Sequence, residues 1–145
     1  MGFFTILASA ICTGRGSVHT FEVDPSLIHL ITESIAMNQG IGPIYLNCMA
    51  VADKIGECTA FSPYQANNLS TNQLFPSTLN SKHVSGDHSQ TRILTITIDD
   101  YCRITSLFPD LVKMDIEGAE ALAIPGMAQT LREGRPTLLL EVHPQ

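Results

Sequence analysis

Two short runs near the C-terminal end of the chain carry ionisable side chains two residues apart. Asp115 and Glu117 stand in LVKMDIEGAE, and Glu141 and His143 stand in TLLLEVHP. In an extended strand, residues i and i+2 point to the same face, so each pair can project to one side of a sheet. A charged residue inside an apolar strand needs a reason. Carboxylates beside an imidazole can position an alcohol and remove its proton, and the same oxygen-rich set could bind a divalent cation. Simpler readings stand next to these. Glu120 lies where the dipole of a starting helix favours a carboxylate, a lone His is more often structural, and Lys113 can snorkel or pair with a neighbouring acid. Two further carboxylates sit elsewhere. Glu22 ends SVHTFE and could accept from both ribose hydroxyls of a nucleotide, or it is a solvated strand end. Asp53 follows IYLNCMAVA, where it could equally be an ordinary turn residue.

These residues need elements to carry them. Phe3 to Ile11 reads as a buried helix ended by Thr13-Gly14-Arg15-Gly16, and Ser17 to Glu22 as a strand. Asp24 offers an N-cap with Pro25 at the first helical position. Leu27, Ile31 and Ile35 recur every four residues, which makes one apolar helix face, and Gly40 is a plausible stop. Ile44 to Val51 is the next strand, followed by a polar turn, Ala52 to Gly56, with a further short strand at residues 57 to 61. Strand, helix, strand at this spacing implies a right-handed crossover in a parallel sheet. From Ser62 to Gln90 polar residues dominate and periodicity vanishes, which reads as an insertion or functional loop; His83 and His88 are solvated residues within it. Arg92 to Ile98 alternates like a strand, and Asp99-Asp100 caps a short helix. Residues 111–116 and 137–142 are two more strands, and a helix containing a glycine joins them. All four strands 17–22, 44–51, 111–116 and 137–142 are expected in one mainly parallel sheet flanked by helices.

Composition limits the function classes. At 145 residues, with 44% hydrophobic and 15% charged residues, the chain is one domain's worth and is globular. A net charge of −6 without any basic run argues against nucleic acid and against anionic membrane surfaces. Cys12, Cys48, Cys58 and Cys102 form no C-x-x-C pair, which fits free thiols in a reducing cytoplasm. The apolar run at residues 3 to 12 is too short to span a bilayer, and no Lys or Arg precedes Arg15, as a signal peptide would require.

DIEGAE, the Gly-containing helix and RP-x-LLLE-x-H resemble the FkbM family of S-adenosylmethionine-dependent methyltransferases. The resemblance runs through nearly the whole chain, weakest across residues 62–90. It implies an α/β fold with a Rossmann-like class I methyltransferase sheet, S-adenosyl-L-methionine as cofactor, and methyl transfer to a hydroxyl oxygen of a sugar, polyketide or similar small molecule. It places Glu22 (VHTFEVDP) on the ribose, Val23 beside it among the cofactor-binding residues and Asp53 on the adenine amine. Asp115, Glu117 and His143 take the catalytic side, with Glu120 and Glu141 on the acceptor. Gly2-Phe3-Phe4-Thr5 is similar to the residues that end the family's glycine-rich signature, so Gly2 falls to the cofactor's methionine part. On this comparison residues 1–145 are a partial domain, with the first strand and the last strands absent and the chain therefore marginally stable. Two other readings remain open: an inactive remnant acting as an interaction module, and a nicotinamide-dependent dehydrogenase. The second is disfavoured because no G-x-G-x-x-G joins a strand to a helix.

Overall fold

The computed structural model describes residues 2–12, 14–62, 73–76, 89–116 and 118–142. The chain divides into two compact units, Met1–Met49 and Ala50–Gln145.

The first unit runs α1 (Phe3–Ile11), β1 (Val18–Glu22), α2 (Pro25–Met37), β2 (Ile44–Cys48). The two strands are parallel, with Val18 opposite Ile44 and Glu22 opposite Cys48. The helix between them starts at Pro25, as the Asp-Pro signal predicts, and Ile31, at the centre of its apolar face, is buried. The first helix differs from its reading as a buried apolar segment. Its buried positions are Thr5 and Ser9, while Phe3, Phe4, Leu7 and Ile11 are exposed. The small polar side chains allow close approach. The hydroxyls of Thr5 and Thr20 hydrogen-bond at 3.1 Å, the Ser9 hydroxyl donates to the Gly42 carbonyl at 2.6 Å, and the Gly42 amide donates back to the Ser9 carbonyl at 3.1 Å. Contact here is made by backbone and hydroxyl groups, which large apolar side chains would hold apart.

The second unit runs β3 (Ala50–Val51), β4 (Gly56–Ser62), β5 (Gln73–Pro76), β6 (Ser89–Ile96), α3 (Ile98–Thr105), β7 (Leu111–Met114), α4 (Glu120–Ala123) and β8 (Thr137–Leu140). One sheet has the order β3-β6-β4-β5, parallel between β3 and β6 and antiparallel elsewhere. A separate parallel pair joins β7 to β8, with Met114 opposite Leu140. The helix α4 tightens into a 3-10 turn at Ile124–Met127 and later widens into a π turn at Thr130–Gly134. Ile93, Ile96, Ile98, Cys102, Met114, Ala123 and Met127 form the core.

Three expectations need correction. The four strands at 17–22, 44–51, 111–116 and 137–142 are parallel in pairs but do not form one hydrogen-bonded sheet. The 44–51 strand is two strands, because the chain leaves the β1 ladder at Met49 and joins β6 at Ala50. The strand over 92–98 ends at Ile96, and the N-cap is Thr97, whose hydroxyl accepts from the Asp100 amide at 2.9 Å. Within the polar stretch 62–90, Gln73–Pro76 is a strand paired with β4; His83 and His88 lie outside the described residues. Among the described residues no helix is long and apolar enough to cross a membrane.

Candidate functional site

The acidic turn after β7 begins where the strand's hydrogen bonding runs out. Asp115 follows Met114, and Glu141 follows Leu140, the partner of Met114, so both carboxylates leave adjacent parallel strands at the same end. The Glu141 amide donates to the Met114 carbonyl at 3.0 Å, which carries the ladder one step past β8. Both residues are exposed. Lys113 Nζ donates to Asp115 Oδ2 at 3.0 Å, so the neighbouring strand residue compensates the charge of Asp115. Glu117 and His143 lie outside the described residues.

Glu120 has a different setting. It is 5% exposed, and its Oε1 accepts from the amides of Ile116 at 3.1 Å and Gly118 at 3.3 Å. A buried carboxylate is tolerated when backbone donors satisfy it, and here those donors belong to the turn itself. Gly118 adopts φ +97°, a left-handed conformation open to glycine at little cost. Glu120 therefore staples the acidic turn to the start of α4, and any contact it makes with an acceptor comes from a buried position.

On the first unit, Glu22 closes β1. Its Oε1 accepts from the amides of Val23 at 2.7 Å and Asp24 at 3.0 Å, while Oε2 has no partner among the described residues. Two amide donors thus fix the carboxylate at the entrance to α2. Gly2 is the residue before α1, where its carbonyl accepts from the Ile6 amide at 3.0 Å.

Asp53 is exposed in the turn between β3 and β4. The backbone on either side of it is tied down. The Ala52 amide donates to the Ile96 carbonyl at 2.9 Å, and the Thr95 hydroxyl donates to the Lys54 carbonyl at 2.8 Å. An exposed carboxylate on a fixed turn suits recognition better than one on a loose loop, because less order is lost on binding.

Sequence reasoning missed one connection. Asp99 does not cap its own helix: its carboxylate reaches residues 129 and 130, accepting from the Gln129 amide at 2.9 Å and from the Thr130 amide and hydroxyl at 2.7 Å each. Burial raises its pKa, but these hydrogen bonds outweigh burial and hold the carboxyl below its ordinary value. Burial also pushes the Cys102 thiol up, which fits a packing role beside Thr130. The double Asp signalled a cap; nothing local signals which helix receives it. Among the described residues no group of three or more His, Cys, Asp or Glu is placed to hold a metal ion.

Residues 2–145 match the family model described as the methyltransferase FkbM domain. No curated protein and no solved structure matches the chain.

Proposed function

Because the chain belongs to the FkbM methyltransferase family, we propose that it is an S-adenosylmethionine-dependent O-methyltransferase, built on a Rossmann-like class I sheet and acting on a hydroxyl of a sugar, polyketide or related small molecule. The observation that carries this reading is the exit of Asp115 and Glu141 at the same end of the β7–β8 pair. Ligands of parallel α/β sheets collect beyond the carboxyl ends of the strands.

Bound S-adenosylmethionine supplies a methyl carbon already activated by the adjacent sulfonium, so the chain's own task is alignment and proton removal. Glu22 would accept from the ribose through the carboxylate that Val23 and Asp24 hold in place. Asp53 would accept from the adenine amine, and Gly2 would lie toward the methionine part. On the acceptor side Asp115, with Glu117 and His143, would orient the hydroxyl and take its proton as the oxygen–carbon bond forms and the carbon–sulfur bond breaks. Glu141 would hold the acceptor beside them. Glu120 keeps the turn that presents Asp115 in shape.

The test is incubation of the protein with methyl-labelled S-adenosylmethionine and a panel of hydroxylated sugars and polyketides. Label should appear on an acceptor oxygen, with one S-adenosylhomocysteine formed per methyl transferred. Binding of the cofactor with label recovered only on carbon or nitrogen of the acceptors would exclude the O-methyl assignment.

A further inference from the structure

The helical segment that follows the acidic turn touches a second turn at its far end. At one end Glu120 accepts from the Ile116 and Gly118 amides. At the other, Gly126 is buried against Ala52, the residue before Asp53. A Cβ at position 126 would collide with the Ala52 carbonyl oxygen and would come within 3.2 Å of Thr97 Cβ. The obstacle is main chain and cannot rotate away as the tip of a long side chain can. The 3-10 turn at Ile124–Met127, which Pro125 helps to start, brings Gly126 to this contact. The segment between the two ends is seven residues long and spans roughly 10 Å at the usual helical rise.

We propose that Gly126 is a positioning residue for adenine recognition, setting the Ala52–Asp53 turn by backbone contact and tying it through α4 to the acidic turn. This rests on the reading of Asp53 as the adenine-side carboxylate. A methyl group at 126 must push the Ala52 peptide away. The preceding peptide is held through the Ala52 amide, which donates to the Ile96 carbonyl, and the Lys54 carbonyl is held by the Thr95 hydroxyl. The displacement is therefore taken up between those two anchors, where Asp53 sits. A hydrogen bond is gone by about 3.6 Å or at an angle of about 100°, so moving the Asp53 carboxylate by less than an ångström is enough to lose the adenine contact.

Gly126→Ala, compared with the unaltered protein, tests this through ligand discrimination. Two probes are titrated calorimetrically: S-adenosylhomocysteine, and its inosine counterpart, in which an oxygen replaces the adenine amine. The unaltered protein should favour the adenosine form by about tenfold or more, the loss expected for one hydrogen bond to a charged group. Gly126→Ala should bring that ratio close to one, and in an Asp53→Asn background the same substitution should leave the ratio unchanged. A change that only lowered stability would shift the melting temperature and leave the ratio of the folded protein intact. A variant that keeps the full ratio overturns the role of Gly126 alone. An unaltered protein that binds S-adenosylhomocysteine without discrimination, or not at all, removes the Asp53 assignment and this proposal with it. If Gly126→Ala does not fold, the Gly126 α-proton resonances of the unaltered protein provide the reading. They should move on adding adenosine and stay still on adding homocysteine; resonances unmoved by saturating adenosine overturn the proposal.

Discussion

Glu22 shows how one side chain can serve both the fold and a ligand. Its Oε1 is taken up by the amides of Val23 and Asp24, so Glu22→Ala should open the turn into α2 as well as remove the ribose contact. We expect S-adenosylhomocysteine binding to weaken by about 1.5–3 kcal/mol, the range for a hydrogen bond to a charged group; unchanged affinity in a calorimetric titration would refute the ribose role. Asp99 yields a prediction in pH. Its carboxyl sits below the ordinary 3.8 because the hydrogen bonds from residues 129 and 130 outweigh burial. A depressed folded value means the unfolded chain takes up the proton first. The stabilisation is complete above the ordinary value and is lost as pH falls through the lower folded one. Asp99→Asn should therefore be less stable than the unaltered protein at pH 6, and the difference should shrink toward pH 2.5 in urea unfolding. Asp100, also lowered through Arg103 and Thr97, is present in both proteins, so only its coulombic coupling to Asp99 enters the comparison. A stability gap that stays constant over that range would show that the charge of Asp99 contributes nothing.

The stretch from Glu120 to Gly134 changes winding twice, from α to 3-10 at Ile124 and to π at Thr130. Each irregularity lies beside a long-range contact: Ala52 at Gly126, and Asp99 at Gln129 and Thr130. Glu120 begins the stretch, so Glu120→Ala should leave the Ile116 and Gly118 amides without their acceptor. The expected cost is about 1 kcal/mol for each hydrogen bond lost, because both amides are only part-buried. Glu120→Gln, which keeps one acceptor oxygen, should cost less. Equal denaturation midpoints for the two variants would show that the amides find other partners. These contacts also mark what could be read in the sequence. Local signals placed α1, the start of α2 at Pro25, the Arg92–Ile96 part of β6 and the two strand ends with Asp115 and Glu141, because helix and strand periods and caps are written in neighbouring residues. The break at Met49 was not legible, since IYLNCMAV is continuously apolar and only the choice of partner, β1 and then β6, divides it. Nor was the burial of Thr5 and Ser9 in place of Phe3 and Leu7, which depends on hydroxyl partners at positions 20 and 42. The glycine in the IPGM turn was visible; its contact with Ala52 was not.

At the scale of the whole chain, the two units have unequal cores. Among the described residues, Ile31 is the only buried apolar side chain of the first unit, while Ala50, Ile93, Ile96, Ile98, Cys102, Met114, Ala119, Ala123 and Met127 belong to the second. Burial of apolar surface is the main force that stabilises a fold, at about 25 cal/mol per Å², so the first unit should open at lower free energy than the second. Native-state hydrogen exchange reads this directly, because each amide reports the opening that exposes it. Amides of β1 and β2 are expected to exchange measurably faster than those of β4 and β6, even though both ladders are fully formed in the folded chain. The proposed function adds a second expectation. A ligand that binds only the folded form protects it by about 2.7 kcal/mol at one hundred times its dissociation constant. S-adenosylhomocysteine should therefore slow exchange across β1 and the turn at Glu22, and in Glu22→Ala at the same concentration that protection should fall to roughly half or less. NAD at matched concentration should leave the unaltered protein's exchange where it was. Uniform protection across both units would contradict the unequal cores, and slowing by NAD but not by S-adenosylhomocysteine would replace the methyl-transfer reading with the dehydrogenase one.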